Sequence, residues 1–89
     1  MESKLTIDEY GTKEWKLPSG KHHREDGPAI EYLGDSIKSW YLNGQLHREN
    51  GPAIEYSYGD KEWYINGIEY SEKEYKYKTR SIKLKKLLK

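Results

Sequence analysis

Two dipeptides carry most of the side-chain chemistry available to this chain: His23-Arg24 and His47-Arg48, set 24 residues apart. Each opens the same run, His-Arg-Glu-Asp-Gly-Pro-Ala-Ile-Glu-Tyr at 23–32 and His-Arg-Glu-Asn-Gly-Pro-Ala-Ile-Glu-Tyr at 47–56. Two guanidinium forks beside two imidazoles suit phosphate or a partner's carboxylates, because arginine presents a planar, permanently charged set of donors. The competing role is structural. Each arginine would pair with the neighbouring Glu25 or Glu49, or stack on a tyrosine or tryptophan, and each histidine would satisfy a turn carbonyl. Residues present in every copy of a repeat usually build the copy, so the structural role takes precedence. A metal centre from His22, His23 and His47 is not expected, since adjacent strand residues point to opposite faces and no carboxylate or thiol has ligand spacing around them. Catalysis finds no support either. There is no cysteine, the serines lie in turns or beside charges, and no histidine stands at a fixed offset from them. The chain reads as a non-enzyme with no cofactor.

The second constellation is a basic tail. Residues 1–70 carry 8 Lys/Arg against 13 Asp/Glu, whereas residues 71–89 carry 8 against 2, so a near-neutral chain is an acidic body (−5) joined to a basic end (+6). Lys76, Lys78, Arg80, Lys83, Lys85 and Lys86 belong to that end. With Arg24 and Arg48 they form the candidate set for nucleic-acid or nucleotide binding, in which cations neutralise phosphates and Tyr75 and Tyr77 stack on bases. A membrane-surface segment is a weaker fit, because the tail lacks Trp and Phe and its apolar stripe is ragged. The simplest role is a helix that caps the acidic body.

The elements that would position these groups follow from turn chemistry. Asn43-Gly44 and Asn66-Gly67 are strong hairpin signals, since a type I′ turn needs positive φ at both central residues. Pro18-Ser19-Gly20 takes the same place in a degenerate first copy beginning at Tyr10. Gly34-Asp35 and Gly59-Asp60 reverse the chain again, and Asp26-Gly27-Pro28 and Asn50-Gly51-Pro52 predict a bend or bulge. Alternation puts Ile30, Tyr32, Trp40, Leu42, Ile54, Tyr56, Trp63 and Ile65 on one face and Glu31, Ser39, Glu55 and Glu62 on the other. On the polar side Tyr41 and Tyr64 join Glu31 and Glu55 as a candidate partner-binding surface. The expected fold is mainly β: a single domain, with an antiparallel β-meander of about six to eight short strands over 1–70 that grows by one hairpin per repeat. From Ser71 a capping box, Ser71-Glu72-Lys73-Glu74, predicts a basic helix over the remaining residues, with Tyr77, Leu84, Leu87 and Leu88 on one side and Tyr75 and Ile82 off it.

Composition limits the core. In 89 residues there are nine Tyr and three Trp but no Phe, no Val, no Cys and one Met, so amphipathic rings must do the packing and no disulfide helps. A chain this small buries only about 60% of its unfolded surface, and a symmetric dimer would add to that. No apolar run is long enough for a signal peptide or a membrane span, so a cytoplasmic location is expected.

Tyr58-Gly59-Asp60-Lys61-Glu62-Trp63-Tyr64-Ile65-Asn66-Gly67 resembles a MORN repeat, whose signature sets Tyr-x-Gly-x-x-Trp ahead of a turn glycine and a second strand with a His-Gly element. Here that element reads His-Arg-Glu-Asp/Asn-Gly-Pro-Ala, which is similar to MORN-variant repeats of small bacterial, phage and large-virus proteins. The resemblance covers about residues 10–70. It implies a hairpin-repeat scaffold that binds other molecules, with protein, lipid and membrane-junction partners known among MORN proteins. For a small phage-type protein it implies an inhibitor of a bacterial host or defence complex.

Overall fold

The computed structural model describes residues 2–88. Nine short strands precede one helix: β1 (Lys4–Ile7), β2 (Lys13–Lys16), β3 (Ile30–Glu31), β4 (Ile37–Ser39), β5 (Tyr41–Leu42), β6 (Gln45–Leu46), β7 (Ile54–Tyr56), β8 (Lys61–Ile65), β9 (Ile68–Tyr70) and α1 (Glu72–Leu87). Seven of them form one antiparallel sheet in the order β1-β2-β3-β4-β7-β8-β9. The β5–β6 hairpin stands outside it. The expected meander with a C-terminal helix is therefore present, and the chain splits into more strands than expected because it bends at Trp40, between β4 and β5.

Two repeats are copied bond for bond. Trp15 N–H reaches Ala29 C=O at 2.8 Å as Trp40 N–H reaches Ala53 C=O at 2.7 Å, and Ala29 and Ala53 N–H donate to Ser39 and Glu62 C=O, both at 2.8 Å. His23 and His47 N–H return to Trp15 and Trp40 C=O, both at 3.0 Å. Hairpin tips then link copy to copy, Gly44 N–H to His22 C=O and Gly67 N–H to Leu46 C=O, each at 2.8 Å. Asn43 and Asn66 sit at φ 50° with Gly44 and Gly67 at 81° and 80°, the left-handed pair that an Asn-Gly turn tolerates best. Proline ends each bend: Pro28 and Pro52 have no N–H, and backbone pairing resumes with the next residue, Ala29 or Ala53, ahead of β3 and β7.

Register corrects the expected faces. Ile30 lies opposite Ser39, Ser39 opposite Ile54 and Ile54 opposite Glu62, so these four share one face. Glu31, Lys38, Glu55 and Lys61 form the matching row on the other face, and Trp15 and Trp63 join it, two residues beyond Lys13 and Lys61. The tryptophans therefore sit with Glu31 and Glu55, not with Ile30 and Ile54. Turn length decides this: the reversal through Leu33–Asp35 brings Ile30 against Ser39 rather than Trp40, and a one-residue difference in register inverts a strand.

The result is a slab of 45 × 32 × 17 Å with a Cα radius of gyration of 13.9 Å, above the roughly 12 Å expected of a compact chain this long. Its core is correspondingly thin: Leu17, Ala29, Ile30, Ala53, Ile65 and, from the helix, Tyr75. Ser71 caps α1 through the predicted box, accepting from Glu74 N–H at 3.2 Å while the Glu74 carboxylate accepts from Ser71 N–H at 3.1 Å. What the helix docks was not the expected stripe. Tyr75 and Thr79 are buried, whereas Tyr77 (81%), Leu84 (53%), Leu87 (80%) and Leu88 (86%) face solvent. Hydrogen-bond partners for one phenol outweigh an unmatched leucine ridge. Tyr75→Ala is accordingly expected to cost about 3–5 kcal/mol, as for other buried aromatics. Calorimetry should show the midpoint falling by more than about 10 °C; an unchanged midpoint would make α1 an appendage.

Candidate functional site

The row of His-Arg loops along the tryptophan face is the most densely bonded part of the molecule. Arg24 lays its guanidinium over the Trp15 ring at 3.8 Å, and Arg48 lies over Trp40 at 3.7 Å. From there each fork turns inward. Arg24 Nη1 donates to Pro28 C=O (3.2 Å) and Glu31 Oε2 (3.1 Å), and Arg48 Nη1 donates to Pro52 C=O (3.1 Å) and Glu55 Oε2 (3.0 Å). The opposite face of each guanidinium is closed by glycine: a Cβ built on Gly27 or Gly51 would meet the arginine Cζ at 2.9 or 3.0 Å. Only glycine lets the loop backbone come this close. The histidines brace the next copy, His23 Nδ1 accepting from Asn43 N–H and His47 Nδ1 from Asn66 N–H, both at 2.9 Å.

Both arginines are thus structural: the expected stacking on tryptophan is present, but their acidic partners are not Glu25 and Glu49. Their carboxylates are Glu31 and Glu55, seven residues on; Asp26 adds a contact to Arg24 Nε at 3.1 Å. Each histidine accepts a turn amide and does not donate to a turn carbonyl. The candidate partner surface is divided as well. Glu31 and Glu55 are held by the arginines on the tryptophan face, while Tyr41 and Tyr64 are half-buried elsewhere. Tyr41 lies 5.3 Å from the His22 ring, and Tyr64 and Tyr56 both donate to Glu62, at 3.5 and 2.9 Å. His22 Nε2 meets Glu14 Oε1 at 2.8 Å, well away from His23 in bonding. Among the described residues no three His, Cys, Asp or Glu side chains converge to hold a metal ion.

The third copy has no arginine, and the helix replaces it. Tyr70-Ser71 stands where His47-Arg48 stands, leaving Trp63 uncovered by its own loop. Tyr75 fills the vacancy with ring centroids 4.9 Å apart, its hydroxyl accepting from Gly51 N–H at 3.1 Å and donating to Arg48 C=O. Three turns further, Lys86 Nζ reaches Glu49 Oε1 at 2.7 Å, and Glu49 Oε2 meets His47 Nε2 at 3.3 Å. The Lys86 hydrogen bond holds the Glu49 carboxyl below its ordinary range, ahead of the opposing effect of its partial burial. Sequence reasoning set Tyr75 off the helix's docking side and gave it base stacking, and read Gly27 and Gly51 only as parts of a bend, not as the room for an arginine. The missing arginine of the third copy was the available signal.

Among the remaining basic candidates, Lys76 pairs with Glu72 at 3.3 Å, while Lys78, Arg80, Lys83 and Lys85 are exposed without an ion pair among the described residues, as is Lys73. Among the described residues no helix is long and apolar enough to cross a membrane. Comparison of the chain with protein-family models, with curated proteins and with solved structures returned no match.

On the isoleucine face the hydrogen bond to Glu62, with burial and the Glu62 charge behind it, pushes the Tyr56 phenol up to about 12 from an ordinary value near 10. A phenol raised on folding keeps its proton more tightly in the folded chain. Its stabilising contribution is therefore complete below about pH 10 and is lost as pH climbs through about 12. Denaturant midpoints measured between those limits should fall in the wild type, and fall less steeply in Tyr56→Phe. Parallel slopes would remove Tyr56 from the account.

Proposed function

We propose that the chain is a non-enzymatic repeat scaffold that acts by protein–protein contact and captures helical segments along its row of His-Arg loops. The observation that carries this reading is intramolecular: the repeat body already holds one helix, through the Tyr75 hydroxyl on the loop backbone at 48–51 and Lys86 on Glu49. A flat body with Arg24 and Arg48 committed to its own framework leaves loops, rims and edges for a partner. The resemblance to MORN-variant repeats of phage-type proteins supports a bacterial host or defence complex as the target, with the chain as its inhibitor. Tagged full-length protein used as bait in bacterial lysate should retain one protein in near-equal amount. Recovery of no stoichiometric protein would contradict the reading.

One observation favours a second reading, nucleic-acid binding by the helix: Lys73, Lys78, Arg80, Lys83 and Lys85 are solvent-facing and unpaired among the described residues. Four such phosphate contacts to a single strand would give a log–log salt slope of about −3. Oligonucleotide affinity measured from low to physiological salt decides it, and a flat or absent response would dismiss it.

A further inference from the structure

The loop at 47–51 and the loop at 23–27 are built alike, yet only one is occupied. Tyr75 satisfies Arg48 C=O and Gly51 N–H, while Arg24 C=O and Gly27 N–H, their counterparts, have no hydrogen-bond partner among the described residues. Lys86 draws Glu49 onto His47, while Glu25 has no lysine or arginine partner and lies 3.9 Å from His23 Nε2. His23 is only 3% exposed, and its Nε2 is a buried polar atom with no hydrogen bond. Because its Nδ1 accepts from Asn43, the neutral ring carries its proton on that orphaned Nε2. A buried donor left unpaired is costly, and a lysine on Glu25 would fix the carboxylate where it can accept from the imidazole, as in the other copy. Beside this loop runs an open groove of about 580 Å³, lined by Arg24–Gly27 on one side, His47–Asn50 on the other, and Trp40 and Leu42. Its rim is acidic, with the Glu25 and Asp26 side chains 71% and 87% exposed.

We propose that this groove docks a basic helix of a partner protein, taking a tyrosine hydroxyl on Arg24 C=O and Gly27 N–H and a lysine eleven residues later on Glu25. The partner chemistry is read from α1, whose Tyr75 and Lys86 have that spacing on the neighbouring loop. Charge agrees, since an acidic rim faces a cationic helix. Arg48 already covers Trp40, so the incoming ring packs beside that pair and not over the indole. Binding then depends on the phenol hydrogen bonds and the ion pair.

The proposal rests on the scaffold reading and is tested separately from it. Isotope-labelled full-length protein is titrated with a synthetic peptide of residues 71–88, at up to about 1 mM. The expected result is movement of the Gly27 and Arg24 region in the spectrum. A Tyr75→Phe peptide should bind about ten-fold more weakly, the effect of one to two hydrogen bonds. Glu25→Lys in the protein should abolish binding with the melting midpoint unchanged. Shifts at Gly51 and Trp63 alone would mean exchange with the chain's own helix and would overturn the groove; so would equal affinity for the phenylalanine peptide, insensitivity to Glu25→Lys, or no shift at all. A partner captured from lysate whose retention ignores Glu25→Lys leaves the scaffold standing and removes this site.

Discussion

A flat cation pressed between an indole and a glycine is the contact on which this molecule depends. A sheet one layer thick has no second layer to bury its apolar surface, and the deepest residues here are two alanines, Ala29 and Ala53. The guanidinium solves that problem in a particular way. It covers an aromatic ring with a weakly hydrated planar surface, at an interaction strength of about 0.5–2 kcal/mol, while its edge keeps hydrogen bonds to a proline carbonyl and a glutamate. Lysine has neither the plane nor the fork. The same side chain therefore acts as lid, strap and ion-pair partner, and Gly27 and Gly51 are the backbone positions that make room for it.

The chain must stop such a series somewhere, and it does so with a change of element. Where a third arginine would fall, a serine caps a helix instead, and the first inward residue of that helix is a tyrosine that takes over the indole. Phenol and guanidinium are chemically unlike but physically interchangeable at this place: each offers a flat face to the ring and a polar end to the loop backbone. Substituting one for the other converts a repeat into a terminus. It also turns the leucines outward beside the lysines, so the end of the chain presents cations and exposed apolar side chains together while the loops present acid.

Much of this was legible in the residues. The 24-residue recurrence, the Asn-Gly turns, the capping box and the split between acidic body and basic tail all correspond to what the structure contains. Three things were not. Face assignment failed because hydrophobicity sorts residues by type, whereas register sorts them by turn length, and the turn after Tyr32 sets Ile30 against Ser39. Helix orientation failed because a stripe of four apolar residues, Tyr77, Leu84, Leu87 and Leu88, outnumbered the pair that docks; the two backbone partners waiting for Tyr75 are invisible to any count of apolar positions. The carboxylates of the arginines were missed for a related reason. Glu25 and Glu49 are nearest in sequence, but the bend at Gly-Pro swings Glu31 and Glu55 underneath.

The central claim is that arginine and tryptophan within one copy are energetically coupled. A double-mutant cycle with Arg48→Met and Trp40→Leu, read by denaturant unfolding, measures that coupling directly. The account predicts that the two losses fall short of additivity by about 1 kcal/mol or more, since removing either ring or cation removes the same contact. Strict additivity would contradict it, and would mean that the stack seen between these two side chains contributes nothing to holding the repeat together.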